Sequence, residues 1–395
     1  RCVTTGAFPL KMLHLMTSVA KPSLHRITKA LAVAGAFVAF GCGESSPPQD
    51  DTRGTEWVHR GPAQGTTYTI KYIASDSVPQ VAIDAALEEV DIEMNAWRAE
   101  SALSRFNAFN RTDTVFEVAD EAGVWSLLWD ISSDVHRESK GAFDIAMAPL
   151  MKLWGFRMQH REIVTPAMVD SVHAFARFRT DVVDFNEVLD ASGLAAGGHL
   201  SKGDPRAELD FNAVAQGFTV DGLAEVLMDH GVMDMMVELG GEVKCMGTNL
   251  QGQPWRIAID RPQAEGRTLQ AVLPMDNQSV CTSGNYRKVT VVNGQKLSHT
   301  LDPRTGAPVT HGLLSATIVT PSAAYADAYA TVCMVLGPDR GAAWVDSLQR
   351  TGKDVEALFI MDGGGEDYSF WATPKLRNAL EWLEPLSEYD SPSSK

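Results

Sequence analysis

Residues 298–306, reading SHTLDPRTG, put a His, a carboxylate and an Arg into one Pro- and Gly-punctuated loop. A plain hairpin end is usually Ser, Asn and Gly with scattered charge, and that reading stays open for this loop. Its residue types, however, are those of a reactive site, because a His near neutral pH can take a proton from a hydroxyl. A rigid arm is expected to carry it. RKVTVV (287–292) and QKLSHT (295–300) are strand-like runs joined by Asn293-Gly294, a pair that tolerates the positive φ of a two-residue turn. Opposed residue numbers then sum to 587, pairing Lys288 with His299 and Val289 with Ser298 and putting His299 on the face of Leu297 and Thr290.

Three other stretches could carry chemistry. In YADAYAT, Asp327 and Thr331 stand four residues apart, so on a helix their carboxylate and hydroxyl converge and could hold a hard cation such as Mg²⁺. A solvated helix face could carry the same pair. LDFNAVAQGFTVDGLAEVL (209–227) reads as a strand end running into a helix, with Asn212 as N-cap. Its Ala213, Ala215 and Gly217 leave the first turn open, so backbone amides there could receive a phosphate or a polar ring edge. A plain capped helix is the competing reading. In KGAFDIAMAPLMKLWGF (140–156), Phe143 and Asp144 lie between a Gly and a Pro-broken apolar run, which suits a flat polar heterocycle or a core loop equally.

The elements that must position these residues mix both types. Apolar residues at Val81, Ile83, Leu87, Val90 and Met94 predict an amphipathic helix; further helices are expected near 120–139, 165–176 and 212–230, the last closed by Gly231. QGTTYTIKYI reads as a strand with Gly at its entry. MDMMVEL, EVKCMG, WRIAID and TLQAVL follow as strands before the hairpin, and LSATIVT leads into the helix AAYADAYATVCMVL, stopped by Gly337-Pro338. The tail adds a helix, the strands VEALFIM and DYSFWA, and a last short helix. Clustered strands and helices argue for an α+β fold, and no GxGxxG follows a strand.

The chain is 45% hydrophobic and 21% charged, as in ordinary globular proteins, and its net charge of −16 with no visible Lys/Arg cluster argues against a nucleic-acid partner. The first 41 residues hold five Lys or Arg and no Asp or Glu. Lys21, His25, Arg26 and Lys29 precede an apolar stretch, 30–40, far too short to span a bilayer, and Gly41-Cys42 closes it. Residues 1–41 therefore resemble a bacterial lipoprotein signal, with Ala39 where Leu is more usual, Phe40 bulkier than typical, and residues 1–15 read as upstream translation. Cleavage would leave Cys42 as the lipid-bearing N-terminus. Residues 42–54 are then a flexible tether and 55–395 the folded domain. Cys245, Cys281 and Cys333 show no paired spacing and are expected as buried free thiols.

AWRAESALSRFN, GAFDIAMAPLMKLWGF, LDFNAVAQGFTVD, VELGGEV, TSGNYRK, SHTLDPRTG and ADAYAT occur in this order, from Gln64 to Gly337. With them the chain resembles the ApbE family of periplasmic flavin transferases, lipoproteins that transfer FMN from FAD to a protein threonine. The resemblance implies a mixed α+β fold, with largely antiparallel sheets and packed helices around a flavin cleft. It implies Mg²⁺ on Asp327, Thr331 and the backbone carbonyl of Ala213. FAD, as substrate, would lie across Trp97, Ala142, Phe143, Asp144, Asp210, Gln216 and Leu301, with Gln64 at its entry strand. His299 would sit beside the pyrophosphate as the base for the acceptor hydroxyl. The partners implied are an acceptor protein with a target threonine, such as a respiratory or redox flavoprotein subunit, and a membrane reached through the lipid on Cys42, on the periplasmic side. Gln216 stands where the family often has Lys, Ala330 where some members have a second acidic ligand, and Gln64 where Met is usual. A Mg²⁺-dependent FAD pyrophosphatase and a non-catalytic flavin-binding lipoprotein are the alternatives.

Overall fold

Strict alternation of side chains along a strand lets one sheet serve two cores, and the central sheet here does so. In the strand Glu356–Gly364, Ala357, Phe359 and Met361 join one buried cluster, whereas Leu358 and Ile360 join another on the opposite face. The computed structural model describes residues 54–389, apart from 121, 157–162, 191–192, 194, 264–267, 286–288, 293–294 and 365–366. Cys42, the segment before it and most of the tether lie outside the described residues, as do Lys288 and the turn pair Asn293-Gly294.

Nine strands form the central sheet, ordered Thr55–Ala63, Thr66–Ala74, Asp234–Leu239, Glu242–Met246, Gln278–Gly284, Leu313–Thr320, Glu356–Gly364, Asp367–Ala372 and Ser387–Glu388. Every pairing is antiparallel except the last. The helices Gln80–Met94, Val124–Glu138, Ala215–Asp229 and Ala323–Arg350 cover one face. A three-stranded sheet containing Trp255–Asp260 and Leu269–Met275 packs on the other. The fold is thus α+β with largely antiparallel sheets, as expected. Among the described residues no helix is long and apolar enough to cross a membrane.

The hairpin pairs Val289 with Ser298 and Val292 with Gln295, the register expected of a two-residue turn. Gly231, at φ 77°, closes its helix in the left-handed conformation that glycine adopts without steric cost. Other boundaries differ from expectation. Gln64 is not on a strand: it occupies the turn between the first two strands at φ 48°, and the strand before it carries too little apolar alternation to be read. The helix expected from Asn212 begins at Ala215: residues 212–214 form a turn closed by the Phe211 carbonyl, which accepts the Val214 and Ala215 N–H groups at 3.0 and 2.8 Å, and Val214 is the N-cap. Gly337-Pro338 breaks the long helix at φ 77°, ψ 177°, yet the chain resumes a helical path at once to Arg350. The helix Ala102–Ala108, capped by the Ser101 side chain, was not expected, nor was the strand pair Val183–Leu189 and Ala195–Lys202.

Gly217 has a packing role that its smallness alone did not reveal. A Cβ there would lie 2.2 Å from the Ala323 carbonyl oxygen and 2.6 Å from its carbon, so the two helices can meet only over a glycine. Gly217→Ala should cost about 1–3 kcal/mol or more, since backbone on both sides must move. An unchanged urea midpoint would contradict that close approach.

Candidate functional site

The contact between the helices Ala215–Asp229 and Ala323–Arg350 is where the candidate metal residues sit. Asp327 is buried at 6% exposure, which removes the solvated-face reading, and its Oδ2 accepts the Gly217 N–H at 3.2 Å. One turn on, Thr331 Oγ1 lies 3.5 Å from Ser283 Oγ of the neighbouring strand. Ala213 is in the turn just before the first of these helices, partly accessible, and Gln216 is in its first turn. The amide expected to await a phosphate is thus already engaged by Asp327. Burial raises the Asp327 carboxyl above its ordinary range, and the Gly217 amide partly offsets this.

The sheet presents further groups to the same place. Gln64 donates from Nε2 to Thr219 Oγ1 at 2.8 Å, fixing the first hairpin turn to the helix Ala215–Asp229. Gly240, at φ 68°, makes the turn before Glu242, and a Cβ on it would lie 3.0 Å from Gln216 Nε2 and 3.1 Å from Glu242 Oε2. Glu242 is buried, and its carboxyl is held well above the usual range by burial first and by the Asp327 charge second. Sequence reading missed Glu242, since one acid after Gly-Gly looks like a hairpin turn. The nearby thiol of Cys281 is pushed up by its burial, and all three described cysteines are buried and free, as expected.

Asp210 meets the chain just after the loop 142–144, its N–H donating to the Ile145 carbonyl at 2.7 Å. Ala142, Phe143 and Asp144 are all buried. Asp144 accepts from Ala146 N–H at 2.8 Å and Phe178 N–H at 3.0 Å, which caps the short turn Ile145–Met147. Burial raises its carboxyl to about 6. His136 donates from Nδ1 to the Phe143 carbonyl at 2.7 Å. These side chains build the core, so the loop offers a ligand its backbone and rim.

His299 ends the hairpin half-buried, and the residues after it are firmly held. Thr300 Oγ1 donates to Asn285 Oδ1 at 2.6 Å. Leu301 is buried among Leu150, Leu153 and Val169. Asp302 and Arg304 form a bidentate pair at 2.8 and 2.7 Å, so this carboxylate and guanidinium stabilise the loop itself. Trp154, which follows the helix Ala148–Leu153, and His173, the last residue of the helix Pro166–His173, grip it from behind: Trp154 Nε1 donates to the Gly306 carbonyl at 2.8 Å and His173 Nε2 to the Pro303 carbonyl at 2.6 Å. Neither anchor was expected from sequence. Trp97 stands apart on the surface, 66% exposed, beyond the end of the helix Gln80–Met94.

The helix pair therefore gathers Asp327, Thr331, Gln216 and Gln64, Asp210 is bonded to Ile145 just after the loop 142–144, and His299 stands at the end of the hairpin strand Gln295–Ser298. Asp327, Thr331 and a backbone carbonyl are all hard oxygen donors, the set that Mg²⁺ takes. Among the described residues no group of three or more His, Cys, Asp or Glu side chains gathers.

Residues 64–359 match the ApbE family. The chain is 33% identical over 349 residues to the FAD:protein FMN transferase of Vibrio cholerae, covering 86% of this chain and 96% of that protein. Its structure is similar to that of the flavin transferase ApbE from Vibrio cholerae, with a TM-score of 0.67 and 29% identity over 82% of this chain and 99% of that one. The apo flavinyl transferase ApbE of Pseudomonas stutzeri superposes with a TM-score of 0.68 and 29% identity, covering 84% and 98%.

Proposed function

Since this chain belongs to the ApbE family, we propose that it transfers FMN from FAD to a threonine hydroxyl of an acceptor protein and releases AMP. The observation that carries the reading is the buried Asp327, one helical turn from Thr331 and bonded to the amide of Gly217. Asp327, Thr331 and the Ala213 carbonyl would hold Mg²⁺. Bound there, it would supply the charge neutralisation that pyrophosphate cleavage needs and that a chain of net charge −16 otherwise has few means to provide.

The chain's own residues supply position and proton transfer. His299 accepts the threonine proton while the threonine oxygen attacks the FMN-side phosphorus. The bond from that phosphorus to the bridging oxygen breaks, and AMP leaves with the bridging oxygen. The clamps from Trp154 and His173 hold the loop that follows His299, so little reorganisation is needed at the reacting position. Gln216 offers a neutral hydrogen-bonding amide to FAD, which favours orientation over strong attraction.

The test is an acceptor protein incubated with FAD and Mg²⁺, followed by a denaturing gel. Flavin fluorescence on the acceptor band should rise in step with AMP and vanish when the target threonine is changed to Val. AMP accompanied only by free FMN, whichever acceptor is supplied, would instead establish a pyrophosphatase.

The same reading makes Cys42 the lipid-bearing N-terminus, holding the domain at a membrane on the periplasmic side by residues 42–54. Cys42→Ala should release the protein to the soluble periplasmic fraction. Unchanged membrane association of that variant would end the proposal.

A further inference from the structure

We infer that Glu242 is a cation-binding carboxylate of this same site, supplying from the sheet a second negative charge to the cation that Asp327 and Thr331 hold from the helix. The inference deepens the metal reading above and rests on it.

Alternation along Glu242–Met246 sets its direction. Val243 and Cys245 belong to the cluster on the far face of the sheet, so Glu242 and Lys244 point toward the helices. Lys244 has a partner there, donating to Asp221 Oδ1 at 2.7 Å on the helix Ala215–Asp229. Among the described residues Glu242 has no such cation. Its Oε2 is fully buried with no hydrogen-bond partner among the described residues, and the residue is only 8% exposed. The amide of Gly241, which could have turned back to it, donates to Glu238 Oε1 at 3.1 Å.

Where Oε2 points is fixed by the Gly240 turn. Gln216 Nε2 and Glu242 Oε2 flank one point over Gly240, at 3.0 and 3.1 Å, and the residue after Gln216 is the glycine whose amide binds Asp327. The orphan oxygen thus faces the helix turn that also presents Asp327. A buried carboxylate with an unused lone pair is costly unless a proton or a cation meets it. Here a site with oxygen donors of the kind Mg²⁺ takes lies beside it.

Glu242→Gln separates this role from a structural one, because it keeps size and hydrogen-bonding capacity and removes only the charge. Metal-stripped full-length protein would be titrated with Mn²⁺ and the free ion followed by electron paramagnetic resonance, with thermal melts of the metal-free proteins alongside. The dissociation constant for Mn²⁺ should rise about tenfold or more in the variant, while its metal-free melting temperature stays equal to or above that of wild type. Wild-type affinity in Glu242→Gln would overturn the inference and leave the Asp327 site standing. Weaker binding together with a lower metal-free melting temperature would also overturn it, by making Glu242 a structural residue. Absence of Mn²⁺ binding by the wild-type protein would overturn the metal reading itself.

Discussion

Asp327→Asn is expected to lower FMN transfer on the order of 10³-fold or more at any Mg²⁺ concentration. Asp327 is the buried carboxylate at the junction of the two helices, and a neutral amide cannot replace its charge toward a divalent ion. Asn is preferred to Ala as the probe because its Oδ1 can still accept the Gly217 N–H, whereas Ala would leave that amide unpaired and add a packing defect. The melting temperature of the metal-free variant should therefore stay near that of wild type. Thr331→Ala should lose less, since water can stand in for a neutral hydroxyl. Equal activity of Asp327→Asn and wild type across a Mg²⁺ titration would remove this carboxylate from the metal site.

His299→Ala is the second large effect. Loss of a positioned base should slow transfer on the order of 10²–10⁴-fold, with FAD affinity nearly unchanged, because a base acts on the transition state more than on the bound substrate. The fold should survive: the residues after His299 are fixed by Thr300 on Asn285, by Trp154 on Gly306 and by His173 on Pro303. Fluorescence titration with FAD and single-turnover transfer separate the two quantities. A parallel loss of FAD affinity and rate would make His299 a binding residue.

The parts of this architecture that were legible in the sequence are those governed by local chemistry. Asn293-Gly294 predicted the register of its flanking strands, and Val289 pairs with Ser298 as that prediction required. Gly231 ended its helix because left-handed backbone there suits glycine, and the run LSATIVT marked the central strand Leu313–Thr320. The failures are places where a distant partner decides. The strand Thr55–Ala63 is an edge strand with little buried surface, so it carries no clear period. Asn212 looked like a cap, but the chain makes a turn on the Phe211 carbonyl first and the helix starts three residues later, at Ala215. Gly217 looked like open space for a ligand, and only the path of the chain past Ala323 shows that it lets two helices touch.

The candidate site divides in the same way. Asp327 and Thr331 could be paired from helical spacing alone. Glu242 could not, because its direction depends on which face of a nine-stranded sheet the helices cover. The Asp302–Arg304 pair carried a reactive signature in the sequence and proves to be a loop clamp, since both groups satisfy each other. Trp154 and His173 meet the loop across more than a hundred residues of chain, a separation that no local pattern encodes.

The central claim is that the flavin nucleotide moves to a protein rather than to water. Intact-mass and peptide mass spectrometry of an acceptor protein, after incubation with this enzyme, FAD and Mg²⁺, tests it most directly. The account predicts an acceptor heavier by one FMN less one water, with the added mass on a threonine and one AMP released for each acceptor modified. An unmodified acceptor in a reaction that has converted FAD to AMP and free FMN would contradict it.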